Sequence, residues 1–182
     1  TNIEEGTFFG CRSFENIDIP PSIASIGKYA FSHCLNIVEI NISESITKIE
    51  EGVFDNCQSL EKIKIPPLVT VIGEKAFSSC SLLTEIILPD SLTTIENSAF
   101  ISCESLVEII IPDSVNSIGI GIFENCEKLQ KIKMPDSLTN IGEKFFKNCT
   151  KLKEFKIPAS VKSIDKNAFA DCSSLKKIEL NG

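Results

Sequence analysis

Cys11, Cys34, Cys57, Cys80, Cys103, Cys126, Cys149 and Cys172 are the only cysteines of this 182-residue chain, and each lies 23 positions after the last. The same step carries Phe8, Phe31, Phe54, Phe77, Phe100, Phe123, Phe146 and Phe169, three residues ahead of each cysteine. It also carries isoleucine five residues ahead of each phenylalanine, from Ile3 to Ile164. Self-similarity at a fixed period of this length means equal units that cannot bury an apolar face alone and must stack on their neighbours. The expectation is one array of about eight units over residues 1–182, a single domain built by repetition.

Spacing within a unit assigns local structure. The copy from Pro66 to Leu88 reads PPLVTVIGEKAFSSCSLLTEIIL, and Val69, Ile72, Ala76, Phe77, Cys80, Leu83, Ile86 and Leu88 are its expected inward set. Leu83, Ile86 and Leu88 end in period-two alternation, and Pro66, Pro89, Pro112, Pro135 and Pro158 close the equivalent stretches. Each unit is therefore expected to contribute one strand. From Gly73 to Cys80 the apolar residues are three to four apart, which predicts a short helical or 3-10 turn on the other side of the coil. Gly27, Gly73, Gly119 and Gly142 open that turn, but Glu50, Glu96 and Asp165 occupy the same place. A left-handed backbone is not compulsory there.

Composition excludes some function classes. The net charge is −7, which argues against nucleic acid as a partner, because phosphate contacts need a basic surface. The balance is uneven, with 6 basic and 13 acidic residues in 1–91 against 12 and 12 in 92–182. No apolar run approaches the roughly 18 residues of a membrane span, and no signal peptide pattern is present. The start at Thr1, partway through a unit, and the stop at Asn181-Gly182 suggest a segment of a longer array.

The Leu-x-x-Ile-x-Leu segment, the Pro-x-Ser-Leu/Val that follows it and the Ile-Gly-x-x-Ala-Phe-x-x-Cys half together resemble the 23-residue leucine-rich repeat of the BspA-like (Treponema pallidum type) family. The units from Pro89 and Pro112 carry it most clearly, with Ala99, Phe100 and Cys103 in one and Phe123 and Cys126 in the other. Ser43 replaces the proline, Leu68 the serine, and Val53, Ile122 and Phe145 the small alanine, while Met134 and Phe155 replace strand aliphatics. The resemblance implies an α/β, right-handed leucine-rich repeat solenoid with its parallel sheet on the concave face and the helical or 3-10 turns opposite. It also implies a surface or secreted protein of bacteria or parasitic protists, linked to adhesion to host proteins.

Eight cysteines invite a metal reading, but no two are closer than one full repeat, and zinc sites use close pairs. Disulfides between adjacent coils are compatible with one strand spacing. The favoured reading is a ladder of buried, reduced thiols acting as small apolar residues with a weak S–H donor. No cofactor is expected. His33 is the only histidine. It lies in the variable part of the turn beside the structural Cys34, and no phosphate loop, metal motif or nucleophile elbow appears, so the chain is not expected to be an enzyme. Asn41-Ile-Ser and Asn148-Cys-Thr are formal glycosylation sequons, the second across a cysteine expected to be buried.

Function is expected on the strand face, where alternate side chains point outward in two columns. One runs Asn16, Glu39, Lys62, Glu85, Glu108, Lys131, Glu154, Lys177, and the other Asp18, Asn41, Lys64, Ile87, Ile110, Lys133, Lys156, Glu179. Ion pairs such as Glu39 with Lys62 and Lys131 with Glu154 suit an ordinary solvated face. Ile87 and Ile110 do not. With Thr84 and Val107 they form an apolar patch bounded by Lys64, Lys133, Glu85 and Glu108, the arrangement of a protein-binding surface. The expected partner is a protein, such as a host extracellular protein, or a glycan. The alternative is a structural spacer or intracellular scaffold array that carries no specific ligand. The basic cluster Lys131, Lys133, Lys153, Lys156, Lys176 and Lys177 is a second candidate, for an acidic protein or glycan.

Overall fold

The computed structural model describes residues 1–180; Asn181 and Gly182 lie outside the described residues. Sixteen short strands follow one another as β1 Asn2–Ile3, β2 Asn16–Asp18, β3 Ser25–Ile26, β4 Glu39–Asn41, β5 Lys48–Ile49, β6 Lys62–Lys64, β7 Val71–Ile72 and β8 Glu85–Ile87. The series continues with β9 Thr94–Ile95, β10 Glu108–Ile110, β11 Ser117–Ile118, β12 Lys131–Lys133, β13 Asn140–Ile141, β14 Glu154–Ile157, β15 Ser163–Ile164 and β16 Lys177–Leu180. Even-numbered strands stack in parallel on one wall of a β-solenoid and odd-numbered strands on another, in a register offset by one repeat, as Lys62 opposite Glu85 shows. Each unit therefore gives two strands, where alternation predicted one. The second is only two residues long, too short to show a period, although its isoleucine column (Ile26, Ile49, Ile72) marks the place.

The predicted helical or 3-10 turns are absent among the described residues. The Gly-x-x-Ala-Phe-x-x-Cys stretch is a chain of isolated tight turns whose N–H groups alternate in direction. Tyr29, Phe31 and His33 donate to Glu51, Val53 and Asp55 of the next coil at 2.9, 3.0 and 2.8 Å, whereas Ala30, Ser32 and Cys34 donate three residues back within their own coil. A helix spends every N–H on itself. Here half of them cross to the neighbour, and left-handed residues at two fixed places per unit make the alternation possible. One column is Gly6, Tyr29, Gly52, Lys75, Ser98, Gly121, Lys144 and Asn167. The other is Gly10, His33, Asn56, Ser79, Ser102, Asn125, Asn148 and Asp171. The second is made almost wholly of Gly, Asn, Asp and Ser, and Gly, Asn and Asp are the residues that enter this conformation at least cost.

Gly27, Gly73 and Gly119 are needed for space and not for a left-handed backbone. A Cβ on Gly73 would lie 2.6 Å from the Glu51 nitrogen of the preceding coil, and one on Gly27 would lie 2.5 Å from the Glu5 nitrogen. Main chain cannot swing aside as a flexible side chain does. Gly73→Ala is expected to cost about 1–3 kcal/mol in urea unfolding, by forcing two coils apart. Glu50→Ala, in the same column but already accommodating a Cβ, should cost under about 1 kcal/mol. Equal losses would remove the packing argument.

The core runs unbroken from coil to coil. Val69, Ile72, Ala76, Phe77, Cys80, Leu83 and Ile86 are buried as predicted, while Leu88 is only partly covered. Successive rings of the phenylalanine column stack with centroids 5.2 to 5.9 Å apart, Phe100 lying 5.6 Å from Phe77 and 5.7 Å from Phe123. Beside them runs the row of sulfurs, all free thiols. Cys103 Sγ donates to the carbonyl of Phe77, Cys126 Sγ to that of Phe100 and Cys149 Sγ to that of Phe123, each at 3.2 Å. Burial pushes these thiols well above the ordinary value, Cys126 to about 12. Serine forms a further ladder at the corner after the long strands, where Ser91, Ser114 and Ser137 donate to carbonyls of the previous coil at 2.6 to 2.7 Å. Leu68 breaks that column and is exposed.

Candidate functional site

The even-numbered strands present the candidate surface, and β4, β6, β8 and β10 have the pattern exposed, buried, exposed: Glu85 and Ile87 point outward while Ile86 packs inward. Register places Lys64 opposite Ile87 and Ile110 opposite Lys133, so the outward column reads Lys64, Ile87, Ile110, Lys133. Ile87 is 52% exposed, Ile110 55% and Val107 40%, in a face made mostly of charged and polar groups, with Val38 a further exposed apolar residue on it. These residues, with Thr84, Glu85, Glu108 and Lys133, line an open depression of about 700 Å³. A second depression bordered by Lys62, Lys64 and Ile87 adjoins it toward β4. The predicted site residues are therefore brought together, Lys64 at the rim of the second hollow.

The patch also sits on a seam. β8 ends the hydrogen-bonded ladder β2, β4, β6, β8, and β10 pairs with β12 in a separate one. Ile87 and Ile110 stand on either side of that join.

Charge around the patch is arranged differently from the sequence expectation. Lys62 takes Glu85 at 3.4 Å and Lys131 takes Glu108 at 3.8 Å, in place of Glu39 and Glu154. Each adjacent glutamate thus leans on its own lysine, and the two do not act as a carboxylate pair. Lys133 contacts Asp113 at 3.2 Å. All these side chains are more than half exposed, so each pair contributes little to stability. In the second candidate cluster Lys131, Lys133 and Lys177 have carboxylate contacts. Lys153, Lys156 and Lys176 have none among the described residues.

His33 is occupied away from sulfur chemistry. Its ring stacks on Phe9 with centroids 5.1 Å apart, its Nδ1 lies 2.9 Å from Ser32 Oγ, and the neighbouring Cys34 thiol donates to the Phe8 carbonyl. The one tyrosine, Tyr29, donates to Glu51, which also holds Lys28 at 2.9 Å, and this contact pushes the phenol up to about 12. Among the described residues no group of three or more His, Cys, Asp or Glu side chains could hold a metal ion, and no helix is long and apolar enough to cross a membrane.

Comparison with known proteins fits this architecture. The sequence pattern described as BspA type Leucine rich repeat region (6 copies) matches residues 1–107 and 93–182. A solved leucine-rich repeat protein of T. pallidum is 27% identical over 96% of this chain and 71% of that one, with a TM-score of 0.64. A leucine-rich repeat protein of Eubacterium ventriosum shares the fold at 17% identity, covering 99% of this chain and 70% of the other, TM-score 0.63. A protein of Faecalibacterium prausnitzii described as a leucine rich cell surface protein is 24% identical over 99% of this chain and 77% of its own, TM-score 0.50. No curated protein matches the chain.

Proposed function

The chain belongs to the BspA type leucine-rich repeat family, and from that premise we propose that it is a non-enzymatic recognition domain. On this reading it binds a protein at a cell surface through the face made by its long strands. One observation carries the proposal: Ile87, Ile110 and Val107 stand exposed together over a depression, the two isoleucines in a column where every other unit places a charged or polar side chain. Scattered exposed apolar residues need no explanation, but a contiguous apolar centre with a charged rim is how protein interfaces are built. The surface location is supported by the description of the F. prausnitzii relative. No catalytic residue and no cofactor enters the reading, and the basic cluster toward β16 is a secondary surface for acidic groups.

The test compares the chain with its Ile87→Lys, Ile110→Lys variant against a panel of purified extracellular host proteins. Because both side chains are exposed, the variant should keep its unfolding midpoint while binding to any captured protein falls at least tenfold, the loss expected when a central apolar contact is replaced by charge. Undiminished binding by the folded variant overturns the assignment of the patch. Binding to no member of the panel favours a spacer that carries no ligand.

A further inference from the structure

The patch has a geometry that selects among protein segments, and this inference rests on the recognition reading above. We propose that the segment captured is an extended stretch carrying a large apolar side chain midway between two carboxylates four residues apart, lying along the axis of the solenoid. The column Lys64, Ile87, Ile110, Lys133 fixes the pattern. Parallel strands are about 4.8 Å apart, so three steps separate the lysines by about 14 Å, with both isoleucines between. An extended chain advances about 3.4 Å per residue and turns residues i, i+2 and i+4 to the same side. Positions i and i+4 therefore also lie about 14 Å apart, which brings the apolar residue at i+2 over the isoleucine pair.

The sign of the flanking charge follows from which groups are already engaged. Glu85 and Glu108 hold Lys62 and Lys131 within the chain. Lys64 has no carboxylate contact among the described residues, and Lys133 shares only Asp113, in a pair 60% and 63% exposed. Asp90 and Asp113 lie at the border of the depression, beyond the strand ends. Lys64 is thus left to a partner outright, and Lys133 can exchange its exposed contact with Asp113 for a partner's carboxylate, so the two ends of the apolar column call for acids. Rim charges of this kind fix register and steer encounter more than they add affinity.

The probe is a Ser-Glu-Thr-Leu-Thr-Glu-Ser peptide, titrated into isotope-labelled protein and followed by amide chemical shifts. The expected result is a set of shifts confined to β6 through β12, lost with Ile87→Lys and Ile110→Lys. Replacing both glutamates by glutamine should weaken binding about tenfold, within the range two exposed pairs supply. Lys64→Glu with Lys133→Glu should reverse the preference, so that the peptide with lysine in place of both glutamates binds the variant better. Equal binding of the Glu and Gln peptides over Ile87 and Ile110 overturns the acidic specificity and leaves the recognition surface standing. No binding of either peptide, while a panel protein still depends on the two isoleucines, overturns the extended segment alone. Loss of every dependence on Ile87 and Ile110 overturns both.

Discussion

Between pH 8 and pH 10 the chain should lose about 7 kcal/mol of stability and unfold, although its carboxylates are ionised throughout and most of its lysines keep their charge over that range. The cause is the row of sulfurs. Cys57, Cys80, Cys103, Cys126 and Cys149 are buried beside carbonyl oxygens, and burial holds each thiol above the value of 9.0 to which it returns when the chain opens. Well below pH 9 both states are protonated and the effect vanishes. Above it the unfolded chain sheds protons that the folded chain keeps, so stability falls as pH rises, until the folded thiols themselves ionise. One unit past 9 each thiol favours the open state by about 1–2 kcal/mol, and five of them together give about 7 kcal/mol, comparable to the whole stability of an ordinary domain. Urea titrations at pH 8, 9 and 10 measure the slope. Cys103→Ala, whatever it costs at pH 7, should reduce that slope by about one-fifth. A flat profile, or iodoacetamide reaching Cys103 as fast as the half-covered Cys11 and Cys172 at pH 8, would contradict a buried ladder.

Phe100→Ala is the largest single-residue loss expected, about 3–5 kcal/mol, the range for emptying a fully buried aromatic site. Its ring is stacked on both sides, and neither neighbour can fall into the gap without breaking its own coil's bonds. Phe8→Ala removes the same side chain from a column position with one stacked neighbour along the ladder and partial exposure. It should cost no more than half as much. In an array where each unit meets only adjacent units, the central lesion should also reduce cooperativity, visible as a shallower denaturant slope. Equal losses at the two positions would mean that the rings are not coupled through the stack.

The apolar columns are legible in the sequence because repetition multiplies them. Eight phenylalanines and eight cysteines in step identify the inward wall, and the outward isoleucines of the patch stand out as exceptions in a charged column. The turns are harder to read, because spacings of three and four suit a helix and a run of tight turns equally well, and only hydrogen-bond direction separates the two. The signal that distinguishes them lies immediately before each cysteine, where Gly10, Asn56, Asn125, Asn148 and Asp171 mark a left-handed place. The role of Gly73 is hidden because its constraint is set by the main chain of the preceding coil, at Glu50 and Glu51. The ion pairs escape prediction for a related reason. A lysine between two acidic neighbours, such as Lys62 between Glu39 and Glu85, has two partners in reach, and its choice is settled by rotamers that a column of letters does not contain.

Each coil is tied to its immediate neighbours by main-chain bonds of the turns, reinforced by strand ladders. The ladders are interrupted at joins that include the one between β8 and β10 and, on both walls, the one between the β11/β12 and β13/β14 coils. Among the described residues no coil is tied to one further away through a strand ladder. Tension applied to the two ends passes through the joins in series and frees turns one at a time, first where the ladders are interrupted. Each released turn converts about 5 Å of stack into roughly 75 Å of extended chain. Anchored at one end and gripped at the other, such a molecule lengthens in even steps, a shock absorber whose stroke is set by the length of its repeat.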